Sequence, residues 1–440
     1  MTDMSSKRCG IVSGCLSFPR DGMQRVLHNV YELHLERELG GCASMAATTP
    51  TQLPASMSES ELAMHSEHAQ IDPASYVAQK IGMSQGSPRL CVDAACASAL
   101  YCMQLAQDYL TSDKADVMLC GASCYPEPMF VLSGFSAFQA LPPKRSGAPS
   151  VPFERTTAGL TPGEGGAVMV LKRLADAERD GDRIYGTLLG AHVSNAGAGL
   201  PLKPDAKAEL DCLRDTYTKF GIEPESMQYI ECHATGTPQG DGCEIQALRG
   251  IFGERMPLLG STKGNFGHTL VAAGFAGAAK LLLAMRHNKI PATPSLTNSI
   301  DRHVVVENIE WPHIPHGEPK RAGLSAFGFG GTNAHAVFEE YRAGSPAPKT
   351  VTMPSVQTPL AIVGMAARFG TLDGLRDLER AVYSGEDGSC ELPPKRWRFL
   401  SNDSHFRSVL AAGESVRGCF IDSVDVDYRR LRVRAEPSAI

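Results

Sequence analysis

Cys96, His233 and His268 are the side chains in this sequence best placed for nucleophilic chemistry. Cys96 lies in the run Leu90-Cys91-Val92-Asp93-Ala94-Ala95-Cys96-Ala97-Ser98-Ala99-Leu100. A short apolar strand ends in Asp93-Ala94-Ala95, and Cys96 opens a segment whose Leu100, Met103 and Leu105-Ala106 have helical spacing. A cysteine at a strand-to-helix turn faces the positive end of a helix dipole. That setting lowers a thiol pKa from about 8.5 towards neutrality and raises the share of nucleophilic thiolate. The small neighbours Ala94, Ala95, Ala97 and Ser98 leave room for an incoming acyl group. The plainer alternative is that Cys96 is inert packing, as most buried cysteines are.

Two histidines stand in similar settings. Met227 to Cys232 reads as a strand that delivers His233 into the loop His233-Ala234-Thr235-Gly236-Thr237. Asp241 and Glu244 then read as a D-x-x-E capping pair for a helix with Ile245, Leu248 and Phe252 on one face. The run Gly260-Ser261-Thr262-Lys263-Gly264-Asn265-Phe266-Gly267-His268 follows the apolar Leu258-Leu259 and precedes a small-residue helix, Leu270 to Met285. Either histidine alone reads as a satisfied structural group more readily than as a catalyst. Phe327-Gly328-Phe329-Gly330-Gly331-Thr332-Asn333 has the glycines that let a backbone approach a ligand closely. His335, flanked by alanines in a strand-like run, reads as structural.

Taken in order, these motifs resemble the β-ketoacyl-ACP synthases (ketosynthases) of the thiolase fold. Cys96 matches the nucleophile of the family's D-T-A-C-S-S pattern, His233 the histidine of H-G-T-G-T, and Lys263 and His268 the lysine and histidine of K-x-x-x-G-H. Gly328 to Asn333 matches G-F-G-G-T-N, and Pro152-Phe153-Glu154 through Gly163-Glu164-Gly165 resembles P-F-D…G-E-G. The match covers most of residues 7–341. Ala94, Ala97, Ala234 and Glu154 depart from the pattern without removing a reacting group. Their context is most similar to ketosynthases of multidomain polyunsaturated fatty acid synthases.

The resemblance implies a duplicated α-β-α-β-α layered fold, and strands alternating with helices independently argue for α/β layers. Ala206–Phe220 is predicted as a helix, and Val117–Gly121, Ala167–Leu171 and Arg183–Val193 as strands. Lys7 to Ser17 reads as the family's second strand, so its opening strand and helices are expected to be missing from the front of the chain. Leu360–Phe369 has the character of such an opening strand, and a helix is predicted over Thr371–Ser384. The expected organisation is a ketosynthase-like domain over 1–341, a proline-bearing linker over 342–358, and the start of a second, chain-length-factor-like domain over 359–440. If the chain folds compactly, Leu360–Phe369 is expected to pair into the main sheet, and the resemblance implies a position at the centre of its first half.

The net charge of −6 gives no reason to expect a nucleic acid partner. The 13 cysteines form neither a C-x-x-C nor a zinc pattern, so no metal and no disulfide framework is expected. A cytoplasmic protein without a membrane span is the expectation, since Leu270 to Met285 is short and interrupted by Lys280. The resemblance implies no bound cofactor. It implies acyl and malonyl thioesters carried on the phosphopantetheine of an acyl carrier protein, with homodimer formation or pairing with a chain-length-factor-like domain. It also implies roles: Cys96 as nucleophile, His233 and His268 as oxyanion and decarboxylation partners, Lys263 and Asn333 in support, and Phe329 as a gate. The alternatives are non-condensing acyl transfer or hydrolysis at Cys96, or an inactive interaction module.

Overall fold

Small and branched residues dominate the strand runs of this chain, and amphipathic or alanine-rich helices follow them, so each sheet face is covered as it forms. The computed structural model describes residues 8–16, 72–124, 134–136, 138–142, 150–197, 203–314, 317–344, 360–391 and 417–421. The first part runs β1 (Cys9–Gly14), α1 (Pro73–Lys80), β2 (Arg89–Val92), α2 (Ser98–Thr111), β3 (Val117–Cys124), β4 (Gly165–Arg173) and α3 (Leu174–Arg179). The second runs β5 (Thr187–Asn195), α4 (Ala206–Phe220), β6 (Tyr229–Glu231), α5 (Pro238–Phe252), β7 (Leu258–Gly260), α6 (Lys263–Phe266) and α7 (Ala273–His287). It continues through the short pair β8 (Lys289–Ile290) and β9 (Ile309–Glu310) to β10 (Arg321–Gly328) and β11 (Thr332–Glu339). β12 (Leu360–Phe369) and α8 (Leu375–Ser384) come after these.

The main sheet has the order β2-β1-β3-β4-β12-β5-β11-β10-β6-β7. It divides into two halves of one pattern. In the first, β2, β1 and β3 are parallel, β4 is antiparallel to β3, and β12 is antiparallel to β4. In the second, β7, β6 and β10 are parallel, β11 is antiparallel to β10, and β5 is antiparallel to β11. β12 with α8 thus stands where β5 with α4 stands in the other half, although it comes last in the chain.

The expectation that Leu360–Phe369 enters the main sheet is met. β12 pairs with β4 from Leu360↔Arg173 to Phe369↔Gly165, with a bulge between Ile362 and Gly364. Its expected position at the centre of the first half is corrected. It lies at the seam, where only Leu360↔Leu188 and Ala361↔Thr187 join it to β5. Gly165 is required there, because a Cβ would come 2.6 Å from the Arg368 carbonyl oxygen. The linker reading of 342–358 falls mostly outside the described residues.

α2 and α7 cross beneath the site, and every residue of α7 from Ala273 to Met285 is buried. Leu270–His287 is long and apolar enough to cross a membrane, but it is a core element of this fold. Gly274 sets how closely the two helices approach: a Cβ there would lie 2.5 Å from Leu100 Cδ1 and 2.8 Å from Ala99 Cβ.

Candidate active site

The turn carrying Cys96 is tied by its own polar side chains. Asp93 Oδ1 accepts the Ala95 N–H at 2.9 Å. Ser98 Oγ accepts the Ala94 N–H at 2.9 Å and donates to the Ala95 carbonyl at 2.7 Å. These bonds hold Ala95 at φ +49°, a left-handed conformation unusual for a residue with a Cβ. The helix begins at Ser98 rather than at Cys96, so the thiol projects from the bend itself. The glycine loop closes over it. Thr332 Oγ1 donates to the Ala94 carbonyl at 2.9 Å, and a Cβ on Gly328 would meet the Cys96 nitrogen at 3.0 Å. The side chains that pin this loop are Thr332 and Asn195, whose Nδ2 donates to the Gly330 carbonyl at 3.0 Å. Asn333, expected in a supporting role, sits in the β10–β11 ladder and lines the cavity.

Both histidines reach the same point. His268 Nε2 lies 2.9 Å from Cys96 Sγ, and ligand atoms of Cys96, His233 and His268 fall within 4.8 Å of one another. The imidazoles meet edge to face, with centroids 5.3 Å apart. Gly267 at φ +73° makes the bend that presents His268, whose N–H donates to the Thr161 carbonyl at 2.7 Å. Its carbonyl accepts the Gly163 N–H at 3.0 Å.

The His233 loop hangs on two acids. Glu244 accepts the N–H groups of His233 and Ala234, each at 2.7 Å. Asp241 accepts those of Gly236 at 3.1 Å and Phe153 at 2.7 Å. Asp241 and Glu244 are therefore not the capping pair expected, since α5 starts at Pro238 with Thr237 at its N-cap. They lie on the buried face with Ile245, Leu248 and Phe252. Two acids on an apolar stripe were the visible sign of this role.

Burial sets the electrostatics. It pushes the Cys96 thiol up to about 12, against the opposing pull of Lys263 and of the backbone N–H groups of Cys96 and Phe329. The expected fall towards neutrality is corrected: the loss of water outweighs the Lys263 charge and the two backbone N–H groups. Burial and the Lys263 charge hold His233 and His268 well below the ordinary histidine value. Lys263 is itself lowered by burial, while Glu231 and Glu244 favour its charge. Burial raises Glu244 to about 7 and Asp241 to about 6. Below them Lys280 pairs with Glu231 at 2.7 Å, both 1% exposed, and Glu231 also accepts from the Tyr229 hydroxyl and the Thr262 N–H. At pH 7 a neutral thiol thus faces two neutral imidazoles.

His335 is structural. It is buried, with Nδ1 at 3.0 Å from Ser325 Oγ and Nε2 at 3.1 Å from the Tyr217 hydroxyl. Phe329 packs its ring against Phe135 and Phe138 at 5.8 and 5.7 Å, over the cavity. A Cys-His-His trio has donor types that zinc accepts. The backbone N–H groups of Cys96 and Phe329 favour the thiolate form of this cysteine.

A fold of two equivalent half-sheets with a cysteine and two histidines converging between them belongs to the thiolase-like condensing enzymes. Sequence comparison gives the family. Residues 39–177 match the N-terminal domain and residues 185–297 the C-terminal domain of β-ketoacyl synthase, and the chain belongs to that family. It is 53% identical over 448 residues to one of the polyunsaturated fatty acid synthase polypeptides of a Thraustochytrium species, covering 98% of this chain and 21% of that protein. The chain thus spans about a fifth of that relative's length. A phenolphthiocerol/phthiocerol polyketide synthase polypeptide of Mycobacterium tuberculosis is 40% identical over 292 residues, which is 63% of this chain and 15% of that protein. Among solved structures, the PfaC keto synthase–chain length factor aligns with TM-score 0.66 and 34% identity over 97% of this chain and 46% of its own. The ketosynthase from module 6 of the Bacillus subtilis bacillaene synthase aligns with TM-score 0.60 and 26% identity over 98% and 78%.

Proposed function

We propose that this chain catalyses decarboxylative Claisen condensation between an acyl group on Cys96 and a malonyl thioester on an acyl carrier protein, extending a fatty acid or polyketide chain. The observation that carries the reading is the 2.9 Å contact of Cys96 Sγ with His268 Nε2, with His233 beside both. In acyl loading, the Cys96 proton passes to His268 Nε2 as sulfur attacks the thioester carbon. The Cys96 and Phe329 N–H groups hold the oxyanion, and the carrier thiolate leaves with the proton from His268. Because His268 Nδ1 has no hydrogen-bond partner among the described residues, the ring can then carry its proton on Nε2. His233 and His268 donate to the malonyl thioester oxygen as CO2 departs. The resulting enolate carbon attacks the acyl carbon on Cys96, the C–S bond breaks, and the β-ketoacyl thioester leaves.

Polyunsaturated fatty acid assembly is the setting proposed, on the strength of the 53% identity to the Thraustochytrium synthase polypeptide. Residues 359–440 are proposed as the start of a second ketosynthase-like unit, because Leu360–Phe369 and the helix after it have the character of a ketosynthase's opening strand and helix, although β12 here fills that place in the main sheet. A chain-length-factor-like partner follows from that proposal, and localisation to the cytoplasm is part of the same reading. The test is Cys96→Ala. Intact mass should show no acylation by an acyl thioester, while labelled malonyl thioester still releases CO2. Full covalent labelling of the variant would refute the nucleophile, and a wild-type chain that releases no CO2 would favour acyl transfer without condensation.

A further inference from the structure

Cys96, both histidines and Phe329 share one cavity, of about 210 Å³, with a carboxylate the reaction does not use. Glu209, in the first turn of α4, is 3% exposed, and its Oε2 has no hydrogen-bond partner among the described residues. It lines the cavity with Asp205, Thr235, Thr237, Gln239 and Gly240. This polar wall is continuous. Thr235 Oγ1 and Thr237 Oγ1 are 3.0 Å apart, and a Cβ on Gly240 would lie 2.6 Å from Thr237 Oγ1 and 3.9 Å from Pro204 on the approach to α4. A buried acid without a partner is costly in a folded protein, so its retention on a cavity wall points to a partner that arrives with the substrate.

We propose that Glu209 is a positioning residue whose carboxyl hydrogen-bonds an amide of the phosphopantetheine arm that brings the thioester to Cys96. The inference rests on the condensation reading above. Burial, with Glu244 and Asp205 as neighbouring acids, raises the Glu209 pKa well above the usual carboxylate value and so favours the protonated acid, which can both donate and accept. An acyl chain would leave such a group unpaired. The pantetheine arm, with two amides, is the part of the substrate that can satisfy it.

The experiment compares Glu209→Ala and Glu209→Gln in the full chain, using malonyl-pantetheine and an amide-free malonyl S-propyl thioester. Loss of one neutral hydrogen bond corresponds to about a 3- to 10-fold rise in KM. Glu209→Ala should show that rise with the pantetheine donor at nearly constant kcat, and a rise of less than about twofold with the S-propyl donor. Glu209→Gln, neutral and of the same shape, should restore the pantetheine KM to within about twofold. Equal changes for both donors would overturn the proposal, and so would a Gln variant as impaired as Ala, which would mark an ionised carboxylate. If Glu209→Ala does not fold, Glu209→Leu takes its place. If the wild-type chain decarboxylates neither donor, the condensation reading fails; calorimetric binding of pantetheine, weakened in Ala and restored in Gln, then decides the Glu209 proposal by itself.

Discussion

Phe369, the last residue of β12, is far from Cys96 in sequence yet supports the histidine that touches it. Its ring stacks on Phe266 with centroids 4.8 Å apart and planes inclined by 19°, and both rings are 0–1% exposed. Phe266 ends α6, immediately before the Gly267-His268 bend. The same stretch is tied to the segment beyond β12: Asn265 Nδ2 donates to the Ala381 carbonyl at 2.8 Å, and the Gly388 N–H donates to the Asn265 carbonyl at 2.7 Å. On the other side, Glu164 accepts the Ile421 N–H at 2.7 Å, and the neighbouring Gly163 donates to the His268 carbonyl. Replacing Phe369 by Ala removes a buried phenyl ring from a site closed on several sides. The expected loss is about 3–5 kcal/mol, against a net stability of about 5–15 kcal/mol for a protein of this kind. Denaturant unfolding measures the loss. Acylation of Cys96 without denaturant measures whether His268 stays in place, and it should slow even in the fraction that is folded. Phe369→Leu should recover most of the stability. A loss below about 1 kcal/mol in the Ala variant would refute the claim that β12 completes the first half-sheet and buttresses the His268 bend.

The two histidines should separate kinetically. His268→Ala should slow both Cys96 acylation and condensation, because of the pair it is the one in hydrogen-bond contact with the thiol. His233→Ala should spare acylation and cost malonyl decarboxylation about 10²-fold or more, the scale of losing a positioned donor. Rapid-quench measurement of the two half-reactions tests both statements, and an acylation rate unchanged in His268→Ala would refute the first. In the unloaded site, alkylation of Cys96 by iodoacetamide should keep rising as pH is raised past neutrality, since its pKa lies at about 12 and the thiolate fraction grows throughout. Lys263→Met should lower the rate at each pH, because the ammonium favours the thiolate. A plateau near pH ~8.5 would show an ordinary exposed thiol.

Elements with strong local patterns were legible in the sequence. The 3.6-residue spacing over Ala206–Phe220 returned α4 with its observed ends, since Asp205 caps one end and Gly221, at φ +61°, closes the other. The strand at Leu360–Phe369 was legible for the same reason, being a long apolar run bounded by glycine. What pattern could not show was burial depth. Cys96 sits at a turn that would activate an exposed thiol, yet it is 6% exposed, and the loss of water outweighs the Lys263 charge and the nearby N–H groups. Asp241 and Glu244 fit a capping template by spacing, but they bond back to the His233 loop that precedes the helix, and Asp241 reaches across the fold to Phe153. Glu209 shares a helix face with Leu213 and Tyr217, and an acid on that stripe signalled a buried carboxyl without naming the cavity it faces.

The convergence of Cys96 and His268 follows from the repeated topology. In the first half, the edge strand β2 turns through Cys96 into α2; in the second, the edge strand β7 turns through Lys263 and His268 into α7. Cys96 and His268 therefore occupy equivalent turns of equivalent half-sheets. Equivalence alone would leave them on separate surfaces. They meet because α2 and α7 pack against each other close to their N-terminal ends, at Ala99-Leu100 and Gly274, where no Cβ can be added without a clash. That contact accounts for the small-residue character of α7. A helix built of bulkier residues would bury as much apolar surface, but it would hold the two turns apart, and the 2.9 Å approach of Sγ to Nε2 depends on their being together.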